Sequence, residues 1–152
     1  MEDNGRTILF YNNDKCTSEI LEIASKVSLN VEGIHMEMKY AFHGDETLVI
    51  VSDSENEPVS VCLLSDLSPT MFLSCLGTSL LKKKDETTGK SHNHATWLLQ
   101  KVKEHAREKG FTQLTLECDD DLTEYYLKRG FILDEEKCFG WNCSENNMYC
   151  EL

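Results

Sequence analysis

Apolar residues along the chain follow two spacings, one typical of strands and one typical of helices. Two β-branched runs, residues 48–51 and 59–64, flank the polar segment SDSENEP, and this arrangement predicts a β-hairpin. Residues 71–81, MFLSCLGTSLL, continue as a predicted buried strand. Further along, the alternation of Leu114, Leu116 and Cys118 in TQLTLEC predicts a strand with one face in the core.

Helices are predicted where apolar residues recur on one side of a helical turn. One helix follows the capping residues Thr17 and Ser18, with its apolar face at Ile20, Ile23, Ala24 and Val27. A second follows the polar stretch KKKDETTGKSHNH and ends at Gly110; its apolar face consists of Ala95, Leu98, Leu99, Val102 and Ala106. A third, LTEYYLKR, has aspartates before it and ends at Gly130.

The ends of the chain complete the predicted order of elements. TILFY near the start is predicted as a strand, and the last 22 residues, FILDEEKCFGWNCSENNMYCEL, as two strands with a turn near residues 142–147. IHMEMKYAF fits a strand or a helix. The order is strand, helix, about three strands, helix, strand, helix and two strands. It predicts one α+β domain over residues 1–152, with a mixed, mostly antiparallel central sheet flanked by helices.

Charge and cysteine content narrow the class of protein. The chain has 27 acidic and 15 basic residues, a net charge of −12, which argues against nucleic-acid or anionic membrane partners. It has no long apolar run, and MEDNGRT lacks the pattern of a secretory signal, so we expect a soluble protein of the cytoplasm or nucleus. The seven cysteines show no CxxC spacing, so neither disulfides nor a metal site is expected.

Basic residues are concentrated in one part of this acidic chain. Residues 82–109 contain eight bases and four acids. Charge alone allows two interpretations of this basic segment: an anion-binding site, or a solvated helix face with a loop.

Two segments carry a resemblance to a known family. Lys90-Ser91-His92-Asn93-His94-Ala95, between a predicted strand and helix, resembles the pyrophosphate loop of the GNAT N-acetyltransferase superfamily, Q/R-x-x-G-x-G/A. YYLKRGF downstream is similar to the family segment FYEKxGF. Asn93 stands at the first glycine of the loop pattern, and asparagine tolerates a positive φ, so we expect the turn to survive. Residues 82–89 lengthen the connection before the loop and suggest an insertion.

The resemblance implies a GNAT-like fold, acetyl-CoA as a substrate and transfer of its acetyl group to a primary amine. The cofactor-binding residues that it implies are Leu76, through its backbone N–H, and Lys90, Ser91, His92, Asn93, His94 and Ala95. The tyrosine of the FYEKxGF segment corresponds to Tyr126, which is expected to act as the general acid toward the thiolate leaving group. Tyr125 is expected to pack in the core.

A second, more local resemblance concerns the strand before the tyrosines. LTLEC is similar to the L-D-C stretch of glucosamine-6-phosphate acetyltransferases, which implies that Glu117 orients the attacking amine. A surface glutamate on a strand is the alternative. Cys118, which the alternation turns inward, is expected to be a buried thiol and not a nucleophile.

The acceptor and the class of function stay open at this point. The acidic composition favours a cationic acceptor, either a small polyamine-like molecule or a lysine-bearing peptide, and a homodimer is one expected assembly. The alternative is a GNAT-like module without efficient catalysis that acts through protein interaction. Its support is the altered loop at Asn93 and His94. Burial of His94 or Trp97 in the cleft would favour the module, and a capping loop with Tyr126 in the cleft would favour the enzyme.

Overall fold

The computed structural model describes residues 5–12, 15, 17–27, 46–78, 93–134 and 146–152. These residues form the predicted order of strands and helices. The elements are β1 (Thr7–Asn12), α1 (Ser18–Ser25), β2 (Glu46–Ser52), β3 (Pro58–Leu67), β4 (Thr70–Thr78), α2 (His94–Glu108), β5 (Gln113–Cys118), α3 (Asp120–Leu127), β6 (Ile132–Leu133) and β7 (Asn146–Glu151). IHMEMKYAF and the proposed insertion at residues 82–89 lie outside the described residues.

All seven strands belong to one sheet in the order β1-β2-β3-β4-β5-β7-β6. Neighbouring strands are antiparallel except β4 and β5, which are parallel and are joined through α2. The predicted mixed, mostly antiparallel sheet is therefore confirmed. The predicted hairpin is also confirmed, as β2 and β3.

The sheet buries apolar side chains on both faces. The smaller cluster lies under α1 and consists of Ala24, Val27, Leu48, Ile50, Val61 and Leu63. The larger one lies under α2 and α3 and includes Val49, Leu64, Trp97, Leu98, Leu114, Leu116, Tyr126, Phe131 and Met148. Alternation along β2 and β3 sends neighbouring residues to opposite clusters. Each fully buried side chain of this size contributes about 1.5–3 kcal/mol to the free energy of unfolding.

The predicted helix ends are confirmed by their geometry. Thr17 caps α1, because its Oγ1 accepts a hydrogen bond from the backbone N–H of Ile20 at 3.3 Å. Gly110 and Gly130, which follow α2 and α3, have φ values of 87° and 89°, a conformation that favours glycine. None of the helices in the described part of the chain has both the length and the apolar character that a membrane crossing requires.

Three details of the sequence prediction are wrong. Ile23, predicted on the apolar face of α1, is 43% exposed, and Leu21 packs against the smaller cluster instead. The turn expected near residues 142–147 does not include Asn146 and Asn147, which begin β7. Pairing with β5 outweighs the turn preference of asparagine there, and the Asn146 amide donates to Asp120 Oδ1 at 2.6 Å. The buried face of α2 also starts one residue early: His94 is buried, whereas Ala95 is only half-buried.

Candidate active site

The parallel strands β4 and β5 separate part-way along their length. Their pairing ends at Leu73 and Leu116, yet β4 runs on to Thr78 and β5 to Cys118. We call the gap beyond Leu73 and Leu116 the β4–β5 split. Backbone groups that line such a gap lack a ladder partner across it, so they can bind a ligand.

A β-bulge in β4 lies beside the split. On β3, Val61 pairs with Gly77 and Leu63 with Ser74, so Cys75 and Leu76 of β4 stand opposite the single residue Cys62. Neither Cys75 nor Leu76 has a register partner in β5. Main-chain N–H groups in this position can stabilise an oxygen that gains negative charge.

The N-terminus of α2 begins with the left-handed turn that the sequence predicted. Asn93 has a φ of 57° and makes no side-chain cap to the helix, and the first turn of α2 contains no acidic residue. The first N–H groups of a helix have no intrahelical acceptor, and the helix dipole makes them attractive to an anion. Lys90, Ser91 and His92, also predicted to bind the cofactor, lie outside the described residues.

His94 and Trp97 pack into the protein interior. The Nε of buried Arg6 donates to the Nδ1 of buried His94 at 3.0 Å, and the Arg6 guanidinium lies 5.6 Å from the Trp97 ring centroid. Trp97 belongs to the larger core cluster. The His94 ring therefore joins the start of β1 to α2, a structural role that the loop pattern did not predict.

Arg129 links the two helices on the same side of the sheet. Its Nε donates to Thr96 Oγ1 in the first turn of α2 at 2.9 Å, and its Nη1 donates to the backbone oxygen of Tyr125 at 2.8 Å. The guanidinium also lies over the Tyr125 ring, 3.5 Å from the centroid. A positive charge thus lies beside the first turn of α2. Sequence reasoning missed this residue, because its partner Thr96 is remote in the chain.

Tyr126 is the buried tyrosine of the pair, and Tyr125 is half-buried beside it. The Tyr126 ring makes edge-to-face contacts with Tyr125 and Phe131, at centroid distances of 5.1 and 5.6 Å. Burial raises the pKa of its phenol above the ordinary value, and Tyr125 and the thiols of Cys118 and Cys62 raise it further. The phenol therefore stays protonated at neutral pH.

Tyr126 belongs to the same core cluster as two thiols, those of Cys62 and Cys118. Cys118 ends β5 two residues beyond Leu116, the last β5 residue that pairs with β4, and Cys62 is the β3 residue opposite the bulge. Tyr126 therefore lies on the face of the sheet that α2 and α3 cover, in one cluster with two residues that neighbour the split. Cys118 is buried with its Sγ 3.6 Å from Met148 Sδ, which confirms the prediction of a buried thiol.

Glu117 lies on the opposite face of β5. Its neighbours Leu116 and Cys118 point into the larger core cluster, so alternation turns the exposed Glu117 away from Tyr126. Glu117 lines a cavity of about 910 Å³ on this face. The described residues around the cavity are Leu67, Thr70, Phe72, Gln113, Thr115, Leu116, Glu117, Leu133, Asp134, Asn147, Met148, Tyr149 and Glu151. Tyr126 and Glu117 therefore lie on opposite faces of the sheet, and the cavity is on the face of Glu117.

Comparison with known proteins bears on the fold. No protein-family model matches the sequence, and no curated protein matches it. Among solved structures, an acetyltransferase of the GNAT family from Staphylococcus aureus superposes with a TM-score of 0.68 at 11% identity, covering 95% of this chain and 99% of that one. The chain has the GNAT fold. Tetrahymena GCN5 is similar with a TM-score of 0.72 at 14% identity over 95% of both chains.

A third GNAT-fold structure was solved with a ligand. The PaiA N-acetyltransferase of Thermoplasma acidophilum, in complex with coenzyme A, matches with a TM-score of 0.62 at 13% identity, covering 96% of this chain and 99% of that one. At such identities the comparison establishes the fold alone. The fold and the resemblance predicted from sequence agree, since the loop segment leads into α2 and YYLKRGF spans the end of α3.

Proposed function

We propose that this protein is an acetyl-CoA-dependent N-acetyltransferase that moves the acetyl group to a primary amine by direct attack. The observation that carries the proposal is the β4–β5 split, with Tyr126 on one face, Glu117 on the other and the β4 bulge between them. Both reacting partners then reach one point from opposite faces of the sheet.

The donor is held by main-chain groups and by basic side chains. The uncapped first turn of α2 and the adjacent Arg129 suit the pyrophosphate of acetyl-CoA, and Lys90, Ser91 and His92 are proposed to add to this site from the preceding loop. Asn93 and Ala95 contribute backbone N–H groups, and at His94 the contribution is also from the backbone. The N–H of Leu76 in the bulge holds the thioester oxygen.

The reaction forms a nitrogen–carbon bond and breaks the carbon–sulfur bond. The amine nitrogen attacks the acetyl carbon, and the carbonyl oxygen becomes negatively charged before the thiolate leaves. The nitrogen loses one proton to solvent, and the departing thiolate takes one proton from solvent while the Tyr126 phenol donates a hydrogen bond to it. Only the neutral amine has a lone pair that can attack. The ammonium ion that binds near Glu117 must therefore lose a proton before the reaction.

Tyr126 donates a hydrogen bond to the departing sulfur. The raised pKa keeps its proton in place, and it also makes the phenol a weaker acid than an exposed tyrosine. Its contribution is therefore greatest as the sulfur becomes a thiolate, when a charge-assisted hydrogen bond forms.

Glu117 positions the amine on the cavity face. As an exposed carboxylate beside the split, it attracts the cationic acceptor from solution and holds the nitrogen near the acetyl carbon. A proton released by the ammonium ion passes to solvent through the open cavity.

A second candidate function is a GNAT-fold module that acts through protein interaction without catalysis. The observation in its favour is the buried Arg6–His94 hydrogen bond, since it engages one side chain of the altered loop inside the protein. The two candidates differ in whether acetyl-CoA binds.

Calorimetric titration of the purified protein with acetyl-CoA, and separately with CoA, tests the proposal. Micromolar binding of both is expected, because α2, Arg129 and the split offer contacts along the ligand. An Arg129→Gln variant should bind both more weakly. Lys128→Gln is the matched control, because exposed Lys128 forms an ion pair with exposed Glu124 at 3.5 Å. If no heat of binding is detected at millimolar ligand, the acetyltransferase function is rejected and the protein-interaction module is the remaining candidate.

A further inference from the structure

The cavity on the face opposite α2 and α3 is organised in rows, because residues paired across neighbouring strands share a face of the sheet. The row at the split contains Glu117, which pairs with Asn147. The backbone N–H of Asp134 donates to the carbonyl oxygen of Asn147 at 2.8 Å, which continues the register into β6. Two carboxylates, Glu117 and Asp134, therefore flank Asn147 at this end.

The middle row has an aromatic side chain on each side of a threonine, whose hydroxyl donates to the carbonyl oxygen of Met71 at 3.4 Å. Phe72 of β4 pairs with Thr115 of β5, and Thr115 pairs with Tyr149 of β7. All three side chains are half-buried and line the cavity. Such a surface suits methylene groups.

The row at the far end carries a third carboxylate. Glu151 pairs with Gln113, and the Gln113 amide donates to Glu151 Oε1 at 2.8 Å. This hydrogen bond orients the Glu151 side chain within its row. The backbone advance from Gln113 to Glu117 is about 13 Å at the usual rise of a strand.

The cavity is thus lined by carboxylates at two ends and by aromatic side chains between them. Among the described residues that line it, there is no lysine, arginine or histidine. A ligand that complements this pattern has positive charge at both ends and an apolar middle.

We infer that the acceptor is a small, unbranched amine with a second positive charge, which the Glu151 end of the cavity binds while the reacting nitrogen lies near Glu117. This inference rests on the proposed acetyl transfer and names the substrate class of that site. The ion pair between Glu151 and the second ammonium group determines specificity and takes no part in the reaction, because it lies at the end of the cavity remote from the bond that forms.

The test compares hexamethylenediamine with hexylamine, which has the same carbon chain and one charge. We expect kcat/KM for the diamine to exceed that for the monoamine about three- to fivefold, the effect of one ion pair to an exposed carboxylate such as Glu151. Glu151→Gln should remove this preference by lowering kcat/KM for the diamine, because glutamine still accepts the Gln113 hydrogen bond but carries no charge. Glu55→Gln, the same change on the exposed β2–β3 turn, is the control and should keep the preference.

The outcomes separate the inference from the proposed function. Three outcomes would overturn the inference while acetyl transfer stands. They are equal kcat/KM for both amines, a preference for the diamine that survives Glu151→Gln, and a higher kcat/KM for a lysine-bearing peptide than for the diamine. Calorimetric titration of the protein with the diamine measures binding to the cavity independently of acetyl transfer. Diamine binding that depends on Glu151, without acetylation of any amine, would refute the function and support the cavity's ligand class; no diamine binding would overturn the inference.

Discussion

Replacement of Tyr126 by phenylalanine removes one hydroxyl from the split and little else. The ring contacts with Tyr125 and Phe131 are preserved, because they involve carbon atoms that phenylalanine also has. We therefore expect the free energy of unfolding to change by no more than about 1.5 kcal/mol, the contribution of one hydrogen bond.

The expected kinetic effect is much larger. A preorganised hydrogen-bond donor to developing negative charge contributes about 10²- to 10³-fold to a rate, and the Tyr126 phenol is the donor proposed to serve the departing thiolate. The loss should fall on kcat, with KM for acetyl-CoA nearly unchanged, because the hydroxyl acts on a charge that develops only during reaction.

The assay is release of CoA thiol at saturating acetyl-CoA and amine, with urea unfolding measured on the same samples. Tyr125→Phe is the matched control, because Tyr125 is half-buried and its ring lies under the Arg129 guanidinium. That variant should keep kcat within about threefold. A Tyr126→Phe protein that is folded and turns over at the wild-type rate would refute the role of the phenol.

Three further predictions concern stability and donor binding. Asn93→Ala should lower the free energy of unfolding by about 1 kcal/mol and Asn93→Gly should not, because a φ of 57° strains alanine; urea unfolding checks this. Arg129→Lys should raise KM for acetyl-CoA less than Arg129→Gln does, since it keeps the charge beside Thr96 but loses the paired hydrogen bonds. Burial, and then Lys109, lower the pKa of His105, so the folded state resists protonation of this ring. Stability should therefore fall as pH drops below 6.5, and His105→Gln should show less of this loss in urea unfolding at stepped pH; an equal loss in both proteins would contradict the prediction.

The elements of the fold follow from local patterns in the sequence. The helical spacing of Leu98, Leu99 and Val102 and the alternation of Leu114 and Leu116 each depend on neighbouring residues, so they are visible without knowledge of the rest of the chain. The alternation also predicts that Glu117 points away from the core, but it does not predict the cavity that Glu117 lines.

The features that form the candidate site depend on distant parts of the chain. The hydrogen bond between Arg6 and His94 joins residues 88 positions apart, and no local pattern indicates it. The bulge at Leu76 depends on how β4 pairs with β3, and composition does not set that register. The acidic rows depend on the position of β7 between β5 and β6, which places Asp134 across from Glu117.

The most direct test of the account is to incubate the purified protein with acetyl-CoA and hexamethylenediamine and to measure free CoA and acetylated amine together. The account predicts that both products appear in equal amounts, at a rate that depends on the protein and falls in the Tyr126→Phe variant. CoA that forms without acetylated amine, or no product despite bound acetyl-CoA, would contradict acetyl transfer at the β4–β5 split.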